Sequence, residues 1–156
     1  MINVMFVCHG NICRSPMAEY IFKYMIKKIS AENDFVVKSS ATSREEIGND
    51  LYPPAKRKLK ENGIPYSHHC ARQFTKHDYD NSDYIFIMEE YNYTNLLRMI
   101  GYDKYNKIHY LTEFSNLDRD IADPWYSGDF DLTYNQLFES LKSLLLHLGY
   151  ENAQML

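Results

Sequence analysis

Cys8-His9-Gly10-Asn11-Ile12-Cys13-Arg14-Ser15-Pro16 lies between an apolar run, Ile2 to Val7, and a stretch where Met17, Ala18, Ile21, Phe22, Met25 and Ile29 recur at helical spacing. The run reads as a short buried strand, and the periodic stretch as a helix from Pro16 to about Ile29. A thiol therefore stands where a strand ends, a small-residue loop turns and a helix begins. There, loop N–H groups and a helix N-terminus can cup an anion. Ser15 suits the helix cap, and Pro16 the first turn, where its missing N–H costs nothing. Arg14 lies six residues after Cys8, so a loop curled into a ring aims its guanidinium at the same anion. Its planar fork binds two phosphate oxygens at once, which lysine cannot do. Such surroundings favour the thiolate. A lone cysteine is usually an inert buried hydrophobe, but strand, Gly10-Asn11 and Arg-Ser-Pro together outweigh that. The stretch reads as a nucleophile, Cys8, in a phosphate cradle running from His9 to Ser15.

The other elements are read outward from there. Phe35 to Ser40, rich in β-branched and aromatic residues, is a second strand, and Ala41 to Asp50 is a polar loop. Leu51 to Asn62 is a helix opened by Pro53-Pro54 and closed by Gly63. Ile64 to Thr75 is irregular. Asp83 to Met88 is a third strand, apolar enough to be buried on both faces. Glu89 to Ile100 is a helix, Lys107 to Leu111 a fourth strand, and Asn116 to Phe130 a long loop. Leu132 to Leu148 is the last helix, with Leu137, Leu141, Leu144, Leu145 and Leu148 on one face. Strands alternating with helices predict an α/β fold whose parallel sheet is covered on both faces. Ligands of such sheets bind beyond the carboxyl ends of the strands, where the loops at Cys8, Ala41–Asp50 and Asp123 can line one crevice.

With 156 residues, 45% hydrophobic and 24% charged, the chain is expected to be one domain spanning 1–156 with a real core. A net charge of −4 argues against a nucleic-acid binder, which needs a basic face. No apolar run approaches the about 20 residues of a membrane span. Met1-Ile2-Asn3-Val4 lacks the basic start of a secretory signal, and three cysteines do not make a disulfide framework. The expected compartment is the cytoplasm.

A thiolate attacking phosphorus needs an acid for the leaving oxygen and then a base for water. Asp123 is the candidate for both roles, since Pro124, Trp125 and Tyr126 would desolvate its carboxyl. Trp125 and Tyr126 are also candidates to sandwich a substrate ring. Asn11 suits a left-handed backbone position that holds the ring of N–H groups open. Ser15 can donate to the thiolate, cap the helix, or both. Cys13, five residues after Cys8, reads either as a small buried hydrophobe or as a redox partner that shields Cys8. His68-His69-Cys70 with His77-Asp78 matches no usual zinc spacing, so neither metal nor cofactor is expected. Lys56-Arg57-Lys58 reads as a solvated helix face.

Val-Cys-His-Gly-Asn-Ile-Cys-Arg-Ser-Pro-Met-Ala-Glu, with the later Asp-Pro-aromatic-aromatic segment, resembles the low-molecular-weight protein tyrosine phosphatases along nearly the whole chain. The resemblance implies a three-layer fold around a four-stranded parallel sheet, and phosphotyrosine hydrolysis through a cysteinyl-phosphate. The implied partners are phosphotyrosine proteins, with inorganic phosphate or other oxyanions in the site. It places the acid at Asp123, with Trp125 where Tyr is common. It has Asn11 braced by Ser15 and by a histidine matching His69 within His-x-Ala-Arg-Gln. It implies a reversible disulfide between Cys8 and Cys13. Glu45 stands where an aromatic is frequent, so its charge is expected to prefer basic flanking residues. His9 occupies an often apolar position. Arginine phosphatases resemble the same loop but carry Thr where this chain has Ile12. Arsenate reductases of the fold use two further cysteines, and only Cys70 lies beyond the loop. A non-catalytic phosphate-binding module would predict loss of Cys8 or Asp123.

Overall fold

The computed structural model describes residues 1–156. It sets β1 (Ile2–Cys8), β2 (Phe35–Ala41), β3 (Tyr84–Ile87) and β4 (Ile108–Tyr110) in one sheet of order β2-β1-β3-β4. All three pairings are parallel. Six α-helices follow in chain order: α1 (Arg14–Lys28), α2 (Pro53–Glu61), α3 (Lys76–Asn81), α4 (Glu90–Ile100), α5 (Pro124–Ser127) and α6 (Phe130–His147). Because strand side chains alternate, β1 feeds two cores. Val4, Phe6 and Cys8 pack into the larger one with α1, α2 and α6. Met5 and Val7 pack on the opposite face with Phe74, Tyr79 and Leu96. The result is three layers, with Leu137, Leu141, Leu144 and Leu145 of α6 fully buried.

From β1 the chain crosses to β2 on one side and later returns to β3 on the other. The switch point therefore lies between the carboxyl ends of β1 and β3, where such sheets open a crevice. Cys8 ends β1 at that point.

Several boundaries differ from the sequence reading. Helix α1 starts at Arg14 with Cys13 at its cap and no side-chain cap bond, so Ser15 is not the cap. Leu148 lies just beyond α6, and Phe130 belongs to that helix instead of the preceding loop. That loop also contains α5, one turn begun by Pro124 with the Asp123 carboxylate accepting from the Trp125 N–H.

Helix α3 was not expected, since six residues show no apolar period. It is nucleated by a capping box: Thr75 Oγ1 accepts from the Asp78 N–H at 3.2 Å, and Asp78 Oδ2 accepts from the Thr75 N–H at 2.8 Å. Arg72 adds a bidentate pair to the same carboxylate at 2.8 and 3.0 Å. Burial pushes the Asp78 pKa up, but the Arg72 and Thr75 bonds outweigh it and hold the carboxyl below its usual range. A depressed folded pKa gives stability that is present above the unfolded value, about 3.9, and lost as the pH falls through the folded one. Asp78→Asn should therefore cost about 2 kcal/mol at pH 7. Urea melts across pH should show that gap closing below about pH 4; a gap that stays constant would remove the charge from the account.

Candidate active site

The loop from Cys8 to Arg14 is held by its middle residue. Asn11 is fully buried with φ of 60°, the left-handed conformation that asparagine tolerates best after glycine. Its Nδ2 donates to Ser15 Oγ (2.8 Å) and Ser39 Oγ (3.0 Å), and its Oδ1 accepts from the Arg72 N–H (3.2 Å). Nε2 of His69 lies 2.7 Å from the Asn11 carbonyl. His69 is buried, whereas neighbouring His68 is exposed against Asp50 at 3.5 Å. Cys70 is also exposed. A Cβ at Gly10 would lie 3.3 Å from Glu46 Cγ, a tight contact from which that side chain would have to shift slightly. Held this way, the loop leaves the N–H groups of Gly10, Asn11, Ile12, Cys13 and Arg14 without any protein acceptor. Five unpaired donors beside one thiol can receive an oxyanion.

Asn11→Ala would strip partners from Ser15, Ser39 and the Arg72 N–H while keeping a strained φ. The expected cost is about 3 kcal/mol. Thermal melts should show it as a fall of about 6–12 °C, and a shift within 1–2 °C would deny Asn11 its bracing role.

Cys8 is buried, with Sγ 3.0 Å from Ser15 Oγ and 3.4 Å from the Ser15 N–H. The Ser15 hydroxyl thus contacts the thiol and also lies 3.4 Å from the Ser40 carbonyl. Cys13 is likewise a free buried thiol; burial drives its pKa well up, and the Cys8 charge adds to this. Arg14 is 2% exposed. Its Nη1 donates to Glu89 Oε2 (2.7 Å) and the Ile121 carbonyl (3.0 Å), and its Nη2 to Asp123 Oδ2 (3.3 Å). Burial disfavours this cation, but Cys8, Asp123 and Glu89 outweigh it and hold its pKa above the ordinary value.

Asp123 is placed by anchors on either side. The Ile121 N–H donates to the Met88 carbonyl at the end of β3 (2.9 Å). The Ala122 N–H donates to Gln136 Oε1 (2.7 Å), and Thr133 Oγ1 to the Ala122 carbonyl (2.9 Å), both from α6. The aromatics lie outward, Trp125 51% and Tyr126 85% exposed, while Pro124 is buried and the Asp123 side chain is 23% exposed. What touches the carboxylate is Arg14 and the Trp125 N–H.

Cys8, His9, Gly10, Ile12, Cys13, Arg14, Glu45, Glu46, Asp123, Trp125 and Tyr126 line one cleft of about 550 Å³, contributed by the three loops expected. Glu45 is not a free charge on its rim, since His9 Nε2 lies 3.0 Å from Oε2. His9 Nδ1 is buried without a partner, and because a carboxylate only accepts, Nε2 is the atom that donates to Glu45.

Residues 3–154 match the family model described as low molecular weight phosphotyrosine protein phosphatase. The chain belongs to this family. It is 37% identical over 154 residues to YfkJ of Bacillus subtilis, a low molecular weight protein-tyrosine-phosphatase, covering 97% of this chain and 98% of that one. The crystal structure of YfkJ superposes with a TM-score of 0.91 at 33% identity, covering 97% and 96%. The family's phosphotyrosine phosphatase of Gallus gallus is 39% identical, covering 92% and 93%. An arginine phosphatase of Drosophila also superposes, with a TM-score of 0.84 at 30% identity, covering 94% and 97%.

Within this phosphatase frame, sequence reasoning missed Glu89, Gln136 and Thr133. Glu89 follows β3 at the switch point, a position visible only once β3 is known to lie beside β1.

Proposed function

We propose that the chain hydrolyses phosphotyrosine in proteins through a cysteinyl-phosphate. What carries this reading is the meeting of Cys8, Arg14 and Asp123 in one cleft from separate parts of the chain. The Cys8 thiolate attacks phosphorus while the unpaired loop N–H groups and Arg14 hold the equatorial oxygens. The aryl oxygen leaves with the proton of Asp123. The Asp123 carboxylate then takes a proton from water as that water attacks phosphorus, releasing phosphate and the thiolate. Asn11, Ser15 and His69 keep the loop in shape for this. The nucleophile lies deep, and Trp125 and Tyr126 stand at the exposed rim, so the slot suits a long aryl phosphate better than a short phosphoserine.

We assign Cys13 as the redox partner. Peroxide converts the Cys8 thiolate to a sulfenic acid, Cys13 displaces water to form the disulfide, and two external thiols restore both cysteines. Three free cysteines suit a reducing, cytoplasmic setting.

The likeness to the Drosophila arginine phosphatase supports a second reading, phosphoarginine hydrolysis. Phosphate release from matched phosphotyrosine, phosphoarginine and phosphoserine peptides separates the two. Preference for phosphotyrosine is expected. Preference for phosphoarginine would show that Ile12 does not set the substrate, and no turnover of any would leave a phosphate-binding module.

A further inference from the structure

The basic run on α2 is not a uniform solvated face. Lys56 Nζ is held 2.6 Å from Asp50, and Lys58 pairs with both Glu61 and Asp131. Arg57 between them is exposed and makes no ion pair or hydrogen bond. It lines a groove of about 770 Å³ with Tyr52, Pro54, Pro124, Trp125 and Phe130. Tyr52 braces this apolar floor, its ring 4.8 Å from Trp125 and 6.2 Å from Phe130. The other charges on the groove, Lys58 and Glu61, are paired with each other, and Lys58 also holds Asp131.

Trp125 lines both this groove and the phosphate cleft, so the two are separated only by one half-exposed indole. The cleft's own rim carries Glu45, paired with His9, and Glu46, which accepts from Asn49 Nδ2. A peptide whose phosphotyrosine enters the cleft advances about 3.3–3.6 Å per extended residue, so its next few residues pass over Trp125. There they meet an apolar floor and one unspent cation.

We infer that this groove is a substrate subsite: it takes the residues adjoining the phosphotyrosine, an apolar side chain on the Pro54–Phe130 floor and an acidic one on Arg57. The inference rests on the phosphatase reading and adds which phosphoproteins are preferred.

The test measures kcat/KM on phosphotyrosine peptides carrying Leu-Glu, Leu-Lys or Ser-Glu on either side of the phosphotyrosine, with p-nitrophenyl phosphate as the reference. The wild-type protein should favour Leu-Glu over Leu-Lys by about fivefold on one side, the scale of a partly exposed ion pair. Arg57→Glu should reverse that order while leaving p-nitrophenyl phosphate turnover unchanged. Ser-Glu should fall about threefold below Leu-Glu in both proteins, since it loses the apolar contact. Flanking charge without effect, or a preference that survives Arg57→Glu, would overturn the Arg57 contact. Equal rates for Leu-Glu and Ser-Glu would overturn the apolar floor. If the wild-type protein fails on p-nitrophenyl phosphate itself, the phosphatase reading falls, and this one with it.

Discussion

Cys8→Ser should lower turnover by on the order of 10⁵-fold or more while leaving phosphate or vanadate binding in place. The substitution changes one atom. A hydroxyl fits the same buried position and can keep the contact with Ser15 Oγ, now 3.0 Å from Sγ. The loop is held by Asn11 and His69, not by Cys8, so the unpaired N–H groups and Arg14 stay where they are. A serine hydroxyl is not ionised near neutral pH, and the side chain it would touch, Ser15, is no base to take its proton. Binding should therefore survive where chemistry does not. Calorimetric titration with vanadate beside a turnover assay reads both quantities, and turnover within tenfold of wild type would take the nucleophile's role from Cys8.

Asp123→Asn should cost about 10²–10⁴-fold in phosphoenzyme formation, the usual worth of a positioned acid, with a marked dependence on the leaving group. Asparagine caps helices as well as aspartate does, so the bond from the Trp125 N–H and the anchors to Gln136 and Thr133 should hold. What disappears is the proton. An alkyl or phenyl leaving group needs that proton and should feel the full loss, whereas a nitrophenolate leaves unaided and should lose little. Burst kinetics across a series of aryl phosphates gives the slope. Equal slowing for every leaving group would mean that Asp123 only shapes the cleft.

The nucleophile and its cradle were legible because their chemistry is local: spacing from Cys8 to Arg14, a strand before and a helix after. The parallel sheet was legible from alternation alone. Asp123 was reached by an argument that only partly held, since its surroundings are a guanidinium and an N–H, not buried aromatics. Other features depend on contacts between residues distant in sequence. Glu89 matters to Arg14 only because β3 pairs with β1, and Arg57 is free only because Asp50, Glu61 and Asp131 occupy its neighbours. Helix α3 escaped for a different reason: one capping box and a salt bridge stabilise a segment too short to show a period.

The anchors on Ala122 have a wider consequence. The anion cradle belongs to the first strand and helix, while the proton donor's segment is held by the last helix through Thr133 and Gln136 as well as by Met88 and Arg14. Part of the proton donor's placement thus depends on the opposite end of the chain from the cradle. Loosening of α6, by mild denaturant or by a partner that grips it, would uncouple proton delivery from anion capture. The result would be a protein that still holds phosphorylated ligands but is slow to release them, with the last helix acting as a brake on turnover.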